Sequence, residues 1–535
     1  ETEEKLFNIA SQIADTTEFG TTDDLYTIGF TSLTLMKLNS LIYEELGVNL
    51  EISVLFNNPT IKSFADIVLG EDSSSSLDKF IESAKDMEYF PLTENQMGIY
   101  YECIQNPYEI KYTMPTVVRF DSDVNADKLK EAVIKTIEAH PYIKTRIVSF
   151  EDGSLKQLNN KNAEIDEIEI VELDKNITDE EIIFNDVKAF TLGGEQLFRF
   201  KIYKTPTETV LFSDFHHIIT DGVSQSFIFD DIANVYNGEE LSNEIVDGFV
   251  YSLIETELSN SEKYDEAREF FNEKLSQEIE STILNPNLNG DEDKGKIKNI
   301  VKEIDVNRID KYCKDNSISK NALFLSATIL NLNKYTFRSD SLITTIFNGR
   351  ANSNYYNTQG FLVKTLPLII DSSDRQVSIK DFIKNVDKSW KDTINNSYYP
   401  YTKIAEEYQL KPEFFYAYHE FDNDGGIVID GKSYSDYELS DDDLTTGEFK
   451  TNLQILDNGN TVNFEISYND QLYTRDYIET FLDSILLIVD KFMEVNTDSV
   501  KISDIELVSD VEVPEFYEVE IPFIHERFEK QENNL

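Results

Sequence analysis

The chain has 535 residues, 40% hydrophobic and 12% aromatic, which is too long for a single core and implies two to four folded units. Its 101 acidic against 48 basic side chains give a net charge of -53 spread along the chain, which argues against nucleic acid and anionic membrane surfaces as partners. Only Cys103 and Cys313 occur, no apolar run is long enough to span a bilayer, and nothing at the N-terminus resembles a signal peptide, so a cytoplasmic protein without a metal cluster is expected.

Residues 1–70 read as a small helical unit. "EEKLFNIASQIAD" (3–15) is one helix, and a second runs from about Leu33 to Leu46, with Leu35, Leu38, Ile42 and Leu46 on one face and Gly47 as its stop. In "TIKSFADIVL" (60–69), Ile61, Phe64, Ala65, Val68 and Leu69 form an apolar stripe, after a break and a capping residue at Asn58-Pro59-Thr60. Between the first two helices lies "DDLYTIGFTSLTLMKL" (23–38), which places Ser32 at a helix start. A serine there is either an N-cap or a hydroxyl at the positive end of a helix dipole, where an attached phosphate is stabilised. "GEDSSSSLD" (70–78) reads as linker, followed by a short helix in "KFIESAKDM".

From about residue 89, strands and helices alternate. "TMPTVVRFD" (113–121) reads as a strand, "NADKLKEAVIKTIEAHP" (125–141) as a helix stopped by Pro141, "TETVLFSDF" (207–215) as a strand, and "GVSQSFIFDDIANVY" (222–236) as a helix. At the last crossing sits "DFHHIITDGVSQSF" (214–227), with two of the five histidines side by side. An imidazole there can take a proton near neutral pH or stabilise developing charge. Adjacent histidines on a strand point opposite ways, so a shared metal is not expected, and no GxSxG nucleophile elbow accompanies them. The plain alternative is two core histidines. Asp221 can cap the following helix or fix the loop through an arginine, and Gly222 would let a substrate approach the backbone.

Two tracts carry a family resemblance. Gly29, Ser32 and Leu33 match the attachment loop of peptidyl carrier proteins, an acidic-aromatic lead followed by Gly-Gly-x-Ser-Leu, with Phe30 in place of the second glycine. "HHIITDG" (216–222) resembles HHxxxDG, the signature of nonribosomal peptide synthetase condensation domains. Supporting tracts follow in family order: "FPLTENQMGIYY" (90–101) with Gln96, "EAHPYIKTRI" (138–147) with His140 and Arg146, "NGRANSNYYNTQGFLVKTLPL" (348–368) with Lys364 where Asn is usual, "YYPYTKIAEEY" (398–408) without the acidic ending, and a closing strand, turn and helix at 464–489. "IPFIHERFEKQ" (521–531) resembles the opening of an adenylation domain.

The resemblance implies a multidomain chain: an all-α four-helix carrier bundle (1–70), a linker (71–88), an α/β (α+β) condensation domain of two chloramphenicol-acetyltransferase-like lobes in a V (89–265 and 266–510), and a linker with the start of a following adenylation domain (511–535). It implies 4'-phosphopantetheine on Ser32, installed by a phosphopantetheinyl transferase, with a downstream aminoacyl carrier and the adenylation domains of neighbouring modules as partners. His217 would be the base or the group that stabilises the intermediate, His216 would pack inward, and Asp221, beside Gly222, would hold the loop by pairing with Arg350. Two rivals share the signature. An epimerisation domain should carry a glutamate in an EGHGR-like tract, which "TIFNGRANS" (345–353) lacks, and a silent scaffold should not need "HHIITDG" intact. A heterocyclising relative would show DxxxxD instead. "DGVS" rather than "DGWS" points to an L-configured donor; the cargo is not readable.

Overall fold

The computed structural model describes residues 2–507 other than 15, 49, 51, 58, 69–76, 161, 277–278, 293–294, 351, 412, 421–426, 440–448 and 496. The adenylation-like tail at 511–535 and most of the serine-rich linker lie outside the described residues.

The first unit is built from α1 (Thr2–Ala14), α2 (Leu25–Ile28), α3 (Ser32–Leu46), α4 (Ile52–Asn57) and α5 (Ile61–Val68). The two short helices fall in stretches too brief to show a period. The apolar stripes meet inside: Leu6 and Ile9 of α1, Leu35, Leu38 and Ile42 of α3, and Ile61 and Phe64 of α5 are all buried. Thr60 accepts the backbone N–H of Ser63 and so caps α5, as its position before the stripe requires. One face of the bundle rests on a later helix, with the Phe56 ring 6.4 Å from that of Trp390 and the Lys391 ammonium 4.8 Å above the Tyr26 ring.

After α6 (Leu77–Ala84), the first lobe contains β1 (Tyr89–Pro91), α7 (Glu94–Gln105), β2 (Thr116–Asp121), α8 (Ala126–Ala139), β3 (Arg146–Ser149), β4 (Leu155–Leu158), β5 (Glu169–Glu172), α9 (Asp179–Asp186), β6 (Phe198–Lys204), β7 (Glu208–Phe215), α10 (Gly222–Asn237) and α11 (Gly248–Leu258). Leu129, Val133 and Ile137 of α8 and Ile228 and Ile232 of α10 pack on the sheet face that carries Val118, Ile202 and Leu211.

The second lobe contains α12 (Glu262–Leu275), β8 (Ile297–Asp305), α13 (Asn307–Asn316), α14 (Lys320–Thr336), β9 (Asp340–Phe347), β10 (Lys364–Asp371), α15 (Ile379–Asn395), α16 (Tyr401–Tyr408), β11 (Phe414–Glu420), β12 (Ile427–Ile429), β13 (Lys432–Tyr434), β14 (Asp436–Glu438), β15 (Thr451–Asp457), β16 (Thr461–Asn469) and α17 (Arg475–Glu494). Its sheet runs β10-β9-β11-β15-β16-β8, covered by α14, α15 and α17 through a core that includes Phe324, Phe382 and Phe481.

One segment departs from the expected division at residue 266. β14 joins the sheet of the first lobe, giving the order β14-β2-β7-β6-β5, with Asp436 opposite Val118. Ile427 and Ile429 sink into the core of that lobe, and Lys432 reaches Asp121 at 2.6 Å. The unpaired edge of β2 is thereby covered by chain from the other lobe. This crossing ties the two lobes together next to β7, the strand that delivers the histidines.

Candidate active site

β7 pairs with β6 as far as Phe215 and with β2 as far as Ser213, beyond which the Met114 N–H donates to the Phe215 carbonyl, so its C-terminal end is held on both sides. The two histidines then leave the sheet in a tight turn (217–219) before α10 begins. They do different things. His216 is 3% exposed, its ring stacked near Tyr112 and edge-on to Phe190. Its Nδ1 accepts the Ile218 N–H at 3.0 Å, so the ring proton is on Nε2, which faces Cys103 Sγ at 3.5 Å. Burial, with the nearby His217 and Arg199, depresses its pKa to about 3, and it stays neutral at working pH. Burial also pushes the Cys103 thiol up to about 12, which removes it as a thiolate nucleophile.

His217 is half-buried and stands edge-on to Phe361, with ring centroids 5.1 Å apart. Its Nδ1 lies 2.8 Å from the Thr220 carbonyl. A carbonyl only accepts, so Nδ1 carries the proton and Nε2 presents its lone pair. The backbone fixes the tautomer.

Both readings of Asp221 hold at once. Its Oδ1 accepts the Ser224 N–H at 2.9 Å and caps α10, while the guanidinium of Arg350 donates to both carboxylate oxygens at 2.9 Å. Oδ2 also accepts the backbone N–H groups of Leu362 and Val363, at 2.9 and 3.1 Å. Burial raises the pKa of this carboxyl, but the charge and hydrogen bonds of Arg350 outweigh it and hold the group below its ordinary range. Arg350 also donates to Ser224 Oγ and to the Thr358 carbonyl. It sits after Gly349, whose positive φ of 75° and 2.1 Å clearance from a Cβ to the Leu362 carbonyl admit no side chain. Ser224 and Thr358 are hubs that sequence reasoning missed; a Ser three residues after the Asp is the only local trace of them.

Gly222 behaves differently from Gly349. It is exposed, its φ is ordinary, and a Cβ built there meets nothing within 4 Å. The space in front of the backbone is open.

Behind the loop, Gln96 of α7 donates to the Ile218 carbonyl at 2.8 Å. His140, at the end of α8, lies between Asp231 (Nε2, 2.7 Å) and Glu244 (Nδ1, 2.9 Å), and Glu244 in turn accepts the Gln359 N–H. Burial alone would lower the pKa of this imidazole, but the two carboxylates raise it to about 9, so it is a buried cation. Arg146 opens β3.

Ser32 is the first residue of α3. The cap belongs to its neighbour: Thr31 Oγ1 accepts the Thr34 N–H and Thr34 Oγ1 accepts the Thr31 N–H. The N-cap alternative for Ser32 is therefore corrected, because Thr31 fills that role. The first turn of α3 carries no acidic side chain, so the positive end of the helix dipole is free to stabilise a phosphate there, and the helix start fits the group. Among the described residues there is no grouping of three His, Cys, Asp or Glu side chains fit to hold a metal ion, and no helix long and apolar enough to cross a membrane.

Comparison with known proteins agrees with this layout. Residues 87–516 match the family model described as Condensation domain, and residues 4–68 match the one described as Phosphopantetheine attachment site. Gramicidin S synthase 2 of Aneurinibacillus migulanus is 23% identical over 95% of this chain, and Bacitracin synthase 3 of Bacillus licheniformis is 23% identical over 96%. The chain spans only 12% and 8% of their lengths. The solved condensation domain of the Monacolin K polyketide synthase MokA superposes with a TM-score of 0.67 at 15% identity, covering 78% of this chain and 99% of that one.

Proposed function

Because the chain belongs to the condensation-domain family and carries a phosphopantetheine attachment site in residues 4–68, we propose that it is an acyltransferase that forms an amide bond between two carrier-bound substrates in nonribosomal peptide synthesis. Ser32 holds the 4'-phosphopantetheine, whose thiol carries the donor acyl group as a thioester. The acceptor is the amine of an aminoacyl thioester on a downstream carrier.

The observation that carries this reading is the tautomer of His217. The Thr220 carbonyl keeps the proton on Nδ1, which leaves Nε2 as an acceptor. The acceptor amine donates a hydrogen bond to Nε2 and attacks the thioester carbonyl. The C–N bond forms, Nε2 takes the proton that the nitrogen gives up, the C–S bond breaks, and the departing sulfur receives a proton from the imidazolium. Asp221 takes no part in proton transfer: all its capacity is committed to Arg350 and three backbone N–H groups. Holding both reactants in one site supplies much of the rate, since tethering replaces an encounter between free molecules. A phosphopantetheinyl transferase and the adenylation domains of neighbouring modules complete the partners, and the cytoplasm is the compartment.

Loading the protein with an aminoacyl-pantetheine donor and adding a soluble aminoacyl-pantetheine thioester tests the reading. An amide product of the two supports it. Incorporation of solvent deuterium at the donor Cα without amide formation would favour epimerisation, and neither change would favour a silent scaffold.

A further inference from the structure

Residues of both lobes line a partly open cavity of about 200 Å³. The start of α7 and the end of α11 form one wall, and the start of β10 with residues 397–401 forms the other. Two ion pairs border it. Lys364 Nζ lies 2.6 Å from Glu255 Oε1, an oxygen that also accepts the Tyr251 hydroxyl at 2.8 Å. Lys403 Nζ lies 3.0 Å from Glu94 Oε1 and 2.9 Å from the Tyr264 hydroxyl. Chain neighbours of the lining residues hold the catalytic loop: Val363, immediately before Lys364, donates to Asp221, and Gln96, between Asn95 and Met97 of the wall, donates to the carbonyl of the residue after His217.

We propose that this cavity is the side-chain subsite for one of the two amino acids joined, and that it selects a primary carboxamide of the Asn or Gln type. The proposal rests on the amide-forming reading and adds the substrate class. A space of this size takes a side chain rather than a whole tethered arm. The Lys364–Glu255 pair is mostly withdrawn from water, with side chains 15% and 17% exposed. It presents N–H donors directly beside carboxylate acceptors. A ligand that covers this pair must offer an acceptor and a donor side by side, or the N–H groups and carboxylate lone pairs left over from the Lys364–Glu255 contact lose water without replacement. A carboxamide does so, its oxygen taking a hydrogen bond from the ammonium and its NH₂ giving one to the carboxylate. A carboxylate ligand would match Lys364 but be repelled by Glu255, an ammonium would match Glu255 but be repelled by Lys364, and an aliphatic group would strip water from both with no replacement.

The test measures kcat/KM for amide formation with Gln, Leu, Glu and Lys thioesters. Each is offered in one series as the donor on the carrier and in another as the soluble acceptor. In one series Gln should exceed the other three by about tenfold or more, the range that one charge-assisted hydrogen bond supports; the series that shows it identifies which partner the cavity holds. Lys364→Met should abolish the preference. The exchange Lys364→Glu with Glu255→Lys should restore it, because the amide can turn over between exchanged donor and acceptor; a loss of kcat/KM shared equally by all four side chains in Lys364→Met would instead mark a purely structural pair and overturn the subsite. If Lys364→Met does not fold by thermal melting, the parent series and the exchange variant decide. Amide formed at equal efficiency from all four side chains in both series would overturn the subsite, as would a Gln preference unchanged in Lys364→Met. No amide from any pair would overturn the amide-forming reading, and the subsite with it.

Discussion

Arg350 and Asp221, 129 residues apart in sequence and in different lobes, form a two-pronged ion pair at 2.9 Å with side chains 1% and 3% exposed. The arginine anchors the 348–363 loop to the start of α10, and so connects the second lobe to the turn that carries His217.

Breaking this pair from either side leaves a buried charge. Asp221→Ala and Arg350→Ala should each cost several kcal/mol, on the order of 3–5, in denaturant unfolding. Asp221→Ala should cost more, because it also removes the α10 cap, worth about 1 kcal/mol, and two further N–H acceptors. The double variant should lose less than the sum of the single losses. Strict additivity would mean that the two groups do not interact.

The paired histidines should separate in two different assays. His216→Ala strands the buried Ile218 N–H and should lower stability by about 1–3 kcal/mol. His217→Ala should melt close to the parent and still accept phosphopantetheine on Ser32, while amide formation falls. Equal stability losses in the two variants would contradict this division.

Gly222→Ala tests whether the open backbone at the start of α10 is used by the substrate. Nothing in the protein opposes a Cβ there, so stability should hold or rise by up to ~1 kcal/mol. Amide formation should nevertheless slow, with the effect in KM or kcat depending on which substrate passes. Parent-like kinetics would assign the glycine no role.

His140 gives a pH signature. Its folded pKa of about 9 exceeds its ordinary 6.5, so the stabilisation is complete below about pH 6.5 and is lost as pH rises through about 9. The parent should lose on the order of 3 kcal/mol across that window, and His140→Gln should flatten the decline in urea midpoints measured from pH 6 to 9.5. Identical slopes would show that the imidazole is not held charged between Asp231 and Glu244.

The sequence shows those parts of the molecule that are local. The helix after "HHIITDG" and the amphipathic stripes of α1, α3 and α5 depend on a period of 3.6 residues within one stretch, and the strand before the motif, buried on both faces, shows as a short apolar run. The attachment loop was legible as a tract, but Ser32 and Thr31 are both plausible caps in sequence, and only backbone geometry assigns the cap to Thr31. Capping and ion pairing at Asp221 looked like alternatives because a sequence does not reveal that a carboxylate can accept from both directions. The crossing of β14 onto β2 was invisible: three residues carry no period, and the partner strand lies more than 300 residues earlier. Ser224 and Thr358 were missed for a similar reason, since their roles come from a loop that folds back across the lobe boundary.

The most direct test of the central claim is a single-turnover reaction of the Ser32-loaded parent and the equally loaded His217→Ala variant with a soluble aminoacyl-pantetheine thioester, with the products weighed by mass spectrometry. The parent should convert donor and acceptor into one amide-linked product, and the variant should retain most of its donor as thioester over the same interval. Amide formation at the parent rate in the variant, or loading that persists in Ser32→Ala, would contradict the account.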